Sequence, residues 1–287
     1  MLGKLFKHEF YQMTRKLGPI YLGIILFTIA GRGFTFLSTR KVFVEHANHT
    51  FVSVINFLSG FFIAVFLLII LGLLAYTIII LITRFYKNYF TDEGYLMMSL
   101  PAKTSSLINA KLFNAFIWSI FSILLVILGA IILFSSFDGL KSAVSETFRV
   151  YSDLYNNSRD TLEKQLGVPI WVGILELILL ISISTLNFFL ICYSSVVSAQ
   201  HSKIKSKGVA TVLYYLIITT MFFFIFIFQT VILSNLKSYP EFLNKLGSGN
   251  ALAIQMTLIG IMIEEFIFAV ILYMTTLKSM KTKLNLP

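Results

Sequence analysis

Six long apolar segments limit what this chain can fold into more than any other feature of its sequence. Each segment is long enough for an α-helix to cross a bilayer, which takes about 20 mostly apolar residues. Charged residues make up only 13% of the chain, whereas a soluble domain has about 25%. The sequence therefore predicts an all-α integral membrane protein with a single transmembrane domain. Its six transmembrane helices are predicted over residues 17–37, 54–83, 112–136, 168–199, 209–236 and 251–277.

The distribution of basic residues favours one orientation in the membrane. With the N terminus inside, fourteen lysines and arginines fall on the cytoplasmic side and eight fall on the outer side. Because cytoplasmic loops carry an excess of Lys and Arg, both termini are predicted to be cytoplasmic and residues 137–167 to form an extracellular loop. We expect the cytoplasmic charge to meet anionic lipid headgroups, and we expect no nucleic-acid partner.

The first sixteen residues have the pattern of an amphipathic helix with one apolar and one basic face. This pattern predicts an interfacial helix over residues 1–16 that lies among the lipid headgroups. Gly18-Pro19 favours a bend after it, because proline disfavours helical geometry in the preceding residue. The alternative is a plain cytoplasmic extension of the first span. The faces are marked by Phe6 and Phe10 on the apolar side and by Lys4 and Lys7 on the basic side.

The segment between the second and third spans combines an acidic pair with an apolar stretch and a proline. It predicts a short helix across the cytoplasmic side of the protein. Its exposed apolar side chains would form an unusual patch on a bare loop. They either dock into a partner or pack against the protein's own helix ends, and the sequence leaves both readings open. The candidate residues are Asp92, Glu93, Gly94, Tyr95, Leu96, Leu100 and Pro101.

Two strings in the sequence resemble a known family. TDEGYLMMSLP, at residues 91–101, and MLGKLFKHEF, at residues 1–10, are similar to a loop and a leader of Firmicute-type permeases of the ATP-binding-cassette (ABC) type-two export family. The resemblance implies that the leader is a connecting helix and that residues 91–101 form a coupling helix, which docks into a partner ATPase. Residues 137–167 depart from the family pattern, because they are longer than a minimal connection.

The same resemblance implies the partners and the cargo. A soluble ABC ATPase would bind ATP and Mg²⁺, and a second permease copy or a paralogue would complete the membrane part. This chain contains no G-x-x-x-x-G-K-[ST] motif, so we expect it to hold no cofactor, no metal and no catalytic residue, and not to be an enzyme by itself. The cargo would be amphipathic or lipid-like, such as an antimicrobial peptide, exported across a bacterial cell membrane.

Four ionisable residues lie inside the predicted spans, where a charge costs about 2.5 kcal/mol or more at mid-depth. Counting about 1.5 Å per residue places Arg32 and Glu176 at similar depths, which predicts an ion pair between them. Alternatively, Arg32 extends to the outer headgroups. Glu264 and Glu265 fall near the middle of the sixth span and point about 100° apart. One of the two is therefore expected to face a cavity or a subunit interface.

The same residues also bear on two other classes of function. An ion-coupled secondary transporter would use Glu264 or Glu265 as a proton or sodium site, but the spans show no matching pair of broken helices. An intramembrane CAAX-type protease would have the pattern E-E-x-x-x-R, but Ala269 occupies the arginine position here. The four histidines also lie outside the predicted spans, so no metal site can be assembled at mid-membrane.

Overall fold

The structure, a computed structural model, describes residues 2–39, 49–91, 94, 103–134, 163, 168–235 and 249–282. These residues form six α-helices, and no strand occurs among them. The predicted outer loop 137–167 lies outside the described residues, apart from Glu163. We number the helices in chain order: α1 Leu2–Thr39, α2 His49–Phe90, α3 Thr104–Phe134, α4 Ile170–Gln200, α5 Lys207–Asn235 and α6 Gly249–Thr282.

All six helices are long and apolar enough to cross a bilayer. Each predicted span overlaps one of them, so the prediction of an all-α chain with six helices able to span a membrane is confirmed for the described residues. Helix α2 has 42 residues, about twice the number that a hydrocarbon core of about 30 Å requires. Such a helix must tilt or extend beyond the hydrocarbon. The cytoplasmic location of the termini stays a prediction.

Helix α1 runs without interruption through Pro19, although the predicted first span begins only at residue 17. A proline inside a spanning helix is tolerated where neighbouring groups satisfy the freed backbone. The apolar face predicted for the leader continues along the helix, where Met13 and Leu17 are buried. This continuity corresponds to the alternative of a longer first helix and not to a separate helix over residues 1–16. Whether that part lies among the headgroups stays a prediction.

The chain divides into two compact units. The first unit contains Met1–Leu81 and Phe113–Ser152, and the second contains Ile82–Leu112 and Asp153–Pro287. Helices α2 and α3 each contribute residues to both units.

Within the first unit, helices α1, α2 and α3 approach each other closely at two glycines. A Cβ atom on Gly31 of α1 would lie 3.0 Å from the side chain of Leu133 and 3.1 Å from that of Phe62. A Cβ atom on Gly129 of α3 would lie 2.9 Å from the ring of Phe66. Small residues let helices pack closely in a membrane, where van der Waals contact is a main source of helix association.

Three hydroxyl groups also connect the helices of the first unit. The Tyr21 hydroxyl on α1 lies 2.6 Å from the Ser122 hydroxyl on α3, and Thr77 on α2 lies 3.2 Å from the same oxygen. The ring of Trp118 packs edge-on against Tyr21 at 5.6 Å between centroids. Interhelical hydrogen bonds of this kind help to set the register of spanning helices.

Within the second unit, α4 packs against both α5 and α6. Glu176 contacts Gln255, and Asn187, further along α4, contacts Glu265, further along α6. Because the contacts advance in the same direction on both helices, α4 and α6 are parallel.

Candidate functional site

The end of α2 is attached to α4 by an aromatic stack. The rings of Phe85 and Tyr193 lie 4.0 Å apart between centroids and are parallel to within 8°. Both side chains are almost completely buried. Stacked and edge-on aromatic pairs contribute about 0.5–1.5 kcal/mol beyond their burial. The end of α2, which leads into residues 91–101, is therefore packed and buried. We call this packed end of α2 the base of the segment.

Gly94 packs directly against the last turn of α2. Its backbone N–H donates to the Thr91 carbonyl at 2.7 Å, and the Thr91 hydroxyl donates to the Lys87 carbonyl at 2.5 Å. A Cβ atom on Gly94 would lie 2.7 Å from the backbone carbonyl oxygen of Tyr89. Since that oxygen belongs to backbone, a larger residue cannot be accommodated by moving a side chain. Gly94 is therefore required by close approach of two backbone segments.

Two cationic residues at this base are buried, although the charge count treats them as part of the cytoplasmic surface. Arg84 on α2 is 7% exposed and Lys111 on α3 is 4% exposed. The Lys111 ammonium lies 5.9 Å from the centroid of the Tyr89 ring, within the range of a cation–π interaction. These two residues are accordingly not available to lipid headgroups at the surface.

The other predicted coupling residues, Asp92, Glu93, Tyr95, Leu96, Leu100 and Pro101, lie outside the described residues. Helix α3 begins at Thr104. The backbone N–H of Ser106 donates to the Lys103 carbonyl at 2.8 Å. The predicted coupling loop thus leaves α2 at the Gly94 turn and returns to a helix at Thr104.

The predicted leader residues are divided between solvent and protein. Lys4 and Lys7 are exposed, and Phe6 and Phe10 are half-buried. The two phenylalanine rings lie 5.9 Å apart, and the Phe10 ring stacks on Trp118 of α3 at 5.4 Å. The apolar face of the leader therefore packs, at least at Phe10, against another helix of the first unit.

Two of the predicted intramembrane carboxyl groups each meet an amide across the α4–α6 contact. The Gln255 amide donates to the Glu176 carboxylate at 3.3 Å. The Asn187 amide donates to the Glu265 carboxylate, and also to the Glu265 backbone carbonyl at 2.8 Å. The two contacts are about 15 Å apart along the helices, from the rise per residue.

The other two predicted intramembrane charges are Arg32 and Glu264. Arg32 is half-buried in the first unit. Its predicted ion pair with Glu176, which belongs to the second unit, stays a prediction. Glu264 is half-buried next to Glu265. Among the described residues, no group of three His, Cys, Asp or Glu side chains is placed to hold a metal ion.

Comparison of this chain with protein families, with curated proteins and with solved structures finds no match. The resemblance to ABC permeases therefore depends on the residues of the two strings and on the layout of six spans. The structure adds the surroundings of Gly94 in the loop and of Phe10 in the leader.

Sequence reasoning missed the amides that contact the two carboxyl groups. Asn187 and Gln255 are both buried inside apolar helices. A polar amide within an apolar run is itself a signal, because such side chains commonly hydrogen-bond across spanning helices. The partner of each amide could not be identified from the signal, since it depends on which helices are neighbours.

Proposed function

We propose that this chain is the membrane-spanning permease subunit of an ABC exporter in a bacterial cell membrane, driven by ATP hydrolysis in a separate ATPase chain. The observation that supports this proposal best is the buried base beneath the predicted coupling loop. A segment that transmits force must be attached firmly to the helices that it moves. The Phe85–Tyr193 stack and the close fit of Gly94 supply such an attachment.

In the proposed mechanism, two copies of the chain, or one copy and a paralogue, form a transport path between their spans. Each copy seats residues 91–101 in one ATPase, and both termini are cytoplasmic. Closure of the ATPase pair on ATP moves the loop, and the Phe85–Tyr193 stack carries the movement from α2 to α4. Helix α4 contacts both α5 and α6, so a shift of α4 changes the arrangement of that helix group between two states.

The proposed cargo is amphipathic or lipid-like, such as an antimicrobial peptide that enters from the bilayer. Many large apolar side chains of α5, including Phe223, Phe224 and Phe228, are exposed on the surface of the chain. This surface is compatible with apolar cargo as well as with lipid, so the proposal for the cargo follows from the family resemblance.

The second candidate is an ion-coupled secondary transporter. It is favoured by the contact between Asn187 and Glu265, which places a carboxyl group between two spanning helices. Ionisable groups in such positions are common on ion and proton pathways. In this case the chain alone, in proteoliposomes with an ion gradient and no ATP, would move its substrate.

The test begins with purification of the full chain from its native membrane, followed by identification of copurifying proteins. We expect a soluble ABC ATPase to copurify, and most of it to be lost in the double variant Asp92→Lys/Glu93→Lys. The matched control reverses two acidic residues of the predicted outer loop, Asp153→Lys/Asp160→Lys, and should retain the ATPase. Equal retention in both double variants, or ion-driven flux without any ATPase, would overturn the proposal.

A second measurement tests the transmission step. Phe85→Leu removes the ring stack but keeps an apolar side chain, so the ATPase should still bind while transport per ATP hydrolysed falls. Phe223→Leu, at an exposed position of α5, is the control and should leave this ratio unchanged. If Phe85→Leu leaves transport per ATP hydrolysed unchanged, the stack does not carry the movement from α2 to α4.

A further inference from the structure

An apolar groove runs between α1 and α2 in the first unit. Its volume is about 360 Å³, and it is open along one side. Ile24 and Leu73, which are both buried, form its floor and belong to the core that α1 and α2 share with Leu125 of α3. The lining is almost entirely apolar. A groove of this volume and chemistry suits a flexible hydrocarbon chain.

Glycines keep the groove open. Gly23 on α1 and Gly72 on α2 both line it, and both are exposed. A Cβ atom on either glycine would meet no other atom within 4 Å. These two positions therefore differ from Gly31, where close helix packing leaves no room for a side chain. A leucine at Gly23 or Gly72 would instead extend into the groove.

The groove has one polar, cationic end. Lys16 is exposed and precedes Ile20, a lining residue, by four positions on the continuous helix α1. Residues four apart lie on the same face of a helix, so Lys16 lies about one turn beyond the groove on that face. Tyr76, also a lining residue, is 41% exposed near this end. Tyrosine and lysine are typical of the boundary between hydrocarbon and headgroups.

We infer that the α1–α2 groove binds an anionic phospholipid, with one acyl chain between Gly23 and Gly72 and with the phosphate at Lys16. An anionic headgroup near a lysine at the membrane surface is favoured electrostatically. A spanning helix of a second copy would have to lay apolar surface over the Lys16 ammonium, and burying an unpaired charge is costly. The inference is independent of the proposed transport function.

The test measures lipid retention by native mass spectrometry on the full chain purified in mild detergent. Phosphatidylglycerol and phosphatidylcholine with identical acyl chains are added in equal amounts. We expect the wild type to retain phosphatidylglycerol in preference. Lys16→Glu should reduce that retention by about fivefold or more, since it replaces a favourable charge by a repulsive one. Gly72→Leu should reduce retention of both lipids.

Matched controls separate this site from general membrane attraction. Lys7→Glu makes the same charge change on another face of α1, and Gly60→Leu adds the same side chain to α2 at an exposed position with open space around it. Both controls should retain lipid as the wild type does. Gly23→Leu is a second groove variant, with its fold checked by circular dichroism.

Three results would overturn the inference. An equal loss in Lys7→Glu and Lys16→Glu would show that only the overall charge matters. Wild-type retention in both Gly23→Leu and Gly72→Leu would show that the groove holds no acyl chain. If the wild type forms a dimer and only the two groove variants abolish it, the groove would bind a second copy of the chain and not a lipid.

Discussion

Asn187 and Glu265 are polar residues inside two apolar helices, and their side chains meet. Interhelical hydrogen bonds in membranes are worth about 0.6 kcal/mol on average, with a maximum of about 1.7 kcal/mol. Removing one partner costs more than the bond itself when the other group is left at the helix contact without a hydrogen bond. The main effect of losing this contact is therefore expected from the polar side chain that is left without its partner.

We expect Asn187→Leu to lower the free energy of unfolding by about 1–3 kcal/mol, since the Glu265 carboxyl loses its amide donor. The double variant Asn187→Leu/Glu265→Leu should be more stable than Asn187→Leu, because no polar group is then left unpaired. The measurement is reversible unfolding in mixed micelles. Ser182→Ala is the control, since that hydroxyl donates only to its own helix, at the Ile178 carbonyl. Absence of recovery in the double variant would contradict this account.

Gly31 and Gly33 are two glycines of the same helix with different surroundings. Gly31 faces Leu133 and Phe62 at close distance, whereas a Cβ atom on Gly33 would meet nothing within 4 Å. Alanine raises helix propensity equally at both positions. We therefore expect Gly31→Ala to be less stable than Gly33→Ala by about 1–3 kcal/mol, the usual cost of overpacking. The same unfolding assay compares them, and equal stabilities would refute close packing at Gly31.

At the scale of elements, the last turn of α2 and the residues after it form one packed feature. Phe85 stacks on Tyr193 of α4, and Gly94 lies against the Tyr89 backbone. Neither contact depends on a partner protein. The start of the predicted coupling loop is thus held by the chain's own packing.

Gly94→Ala should disrupt this feature, because the added methyl group would lie 2.7 Å from a backbone oxygen that cannot rotate away. We expect faster hydrogen–deuterium exchange over residues 82–112, with little change in α6. Gly208→Ala, at the exposed start of α5 where a Cβ atom meets nothing within 4 Å, is the control. Unchanged exchange in Gly94→Ala would show that the turn tolerates a side chain.

At the scale of the whole molecule, the one cysteine is an experimental advantage. Cys192 is the only cysteine of the chain and is buried in α4. A membrane-impermeant maleimide should therefore label the native chain little. Single cysteines placed in the connecting segments can then report which side of the membrane each segment faces.

We expect Lys7→Cys and Lys203→Cys to be labelled only after the membrane is permeabilised, because the excess of Lys and Arg predicts that both segments are cytoplasmic. Lys41→Cys and Lys141→Cys, in predicted outer segments, should be labelled in intact cells. All four are made in a Cys192→Ser background and compared with that background alone. Labelling of Lys203→Cys in intact cells would contradict the predicted topology.

Six spanning-capable helices could be predicted from the sequence, because hydropathy is a local property that adds up along each segment. The four ionisable residues within those segments could be identified in the same way. Other features could be seen only in the tertiary structure. Helix α1 begins at residue 2, and Arg84 and Lys111 are buried. Glu176 contacts Gln255, and Glu265 contacts Asn187. The physical reason is that a side chain's partner depends on helix order, rotation and register, which six apolar segments of similar composition do not encode locally.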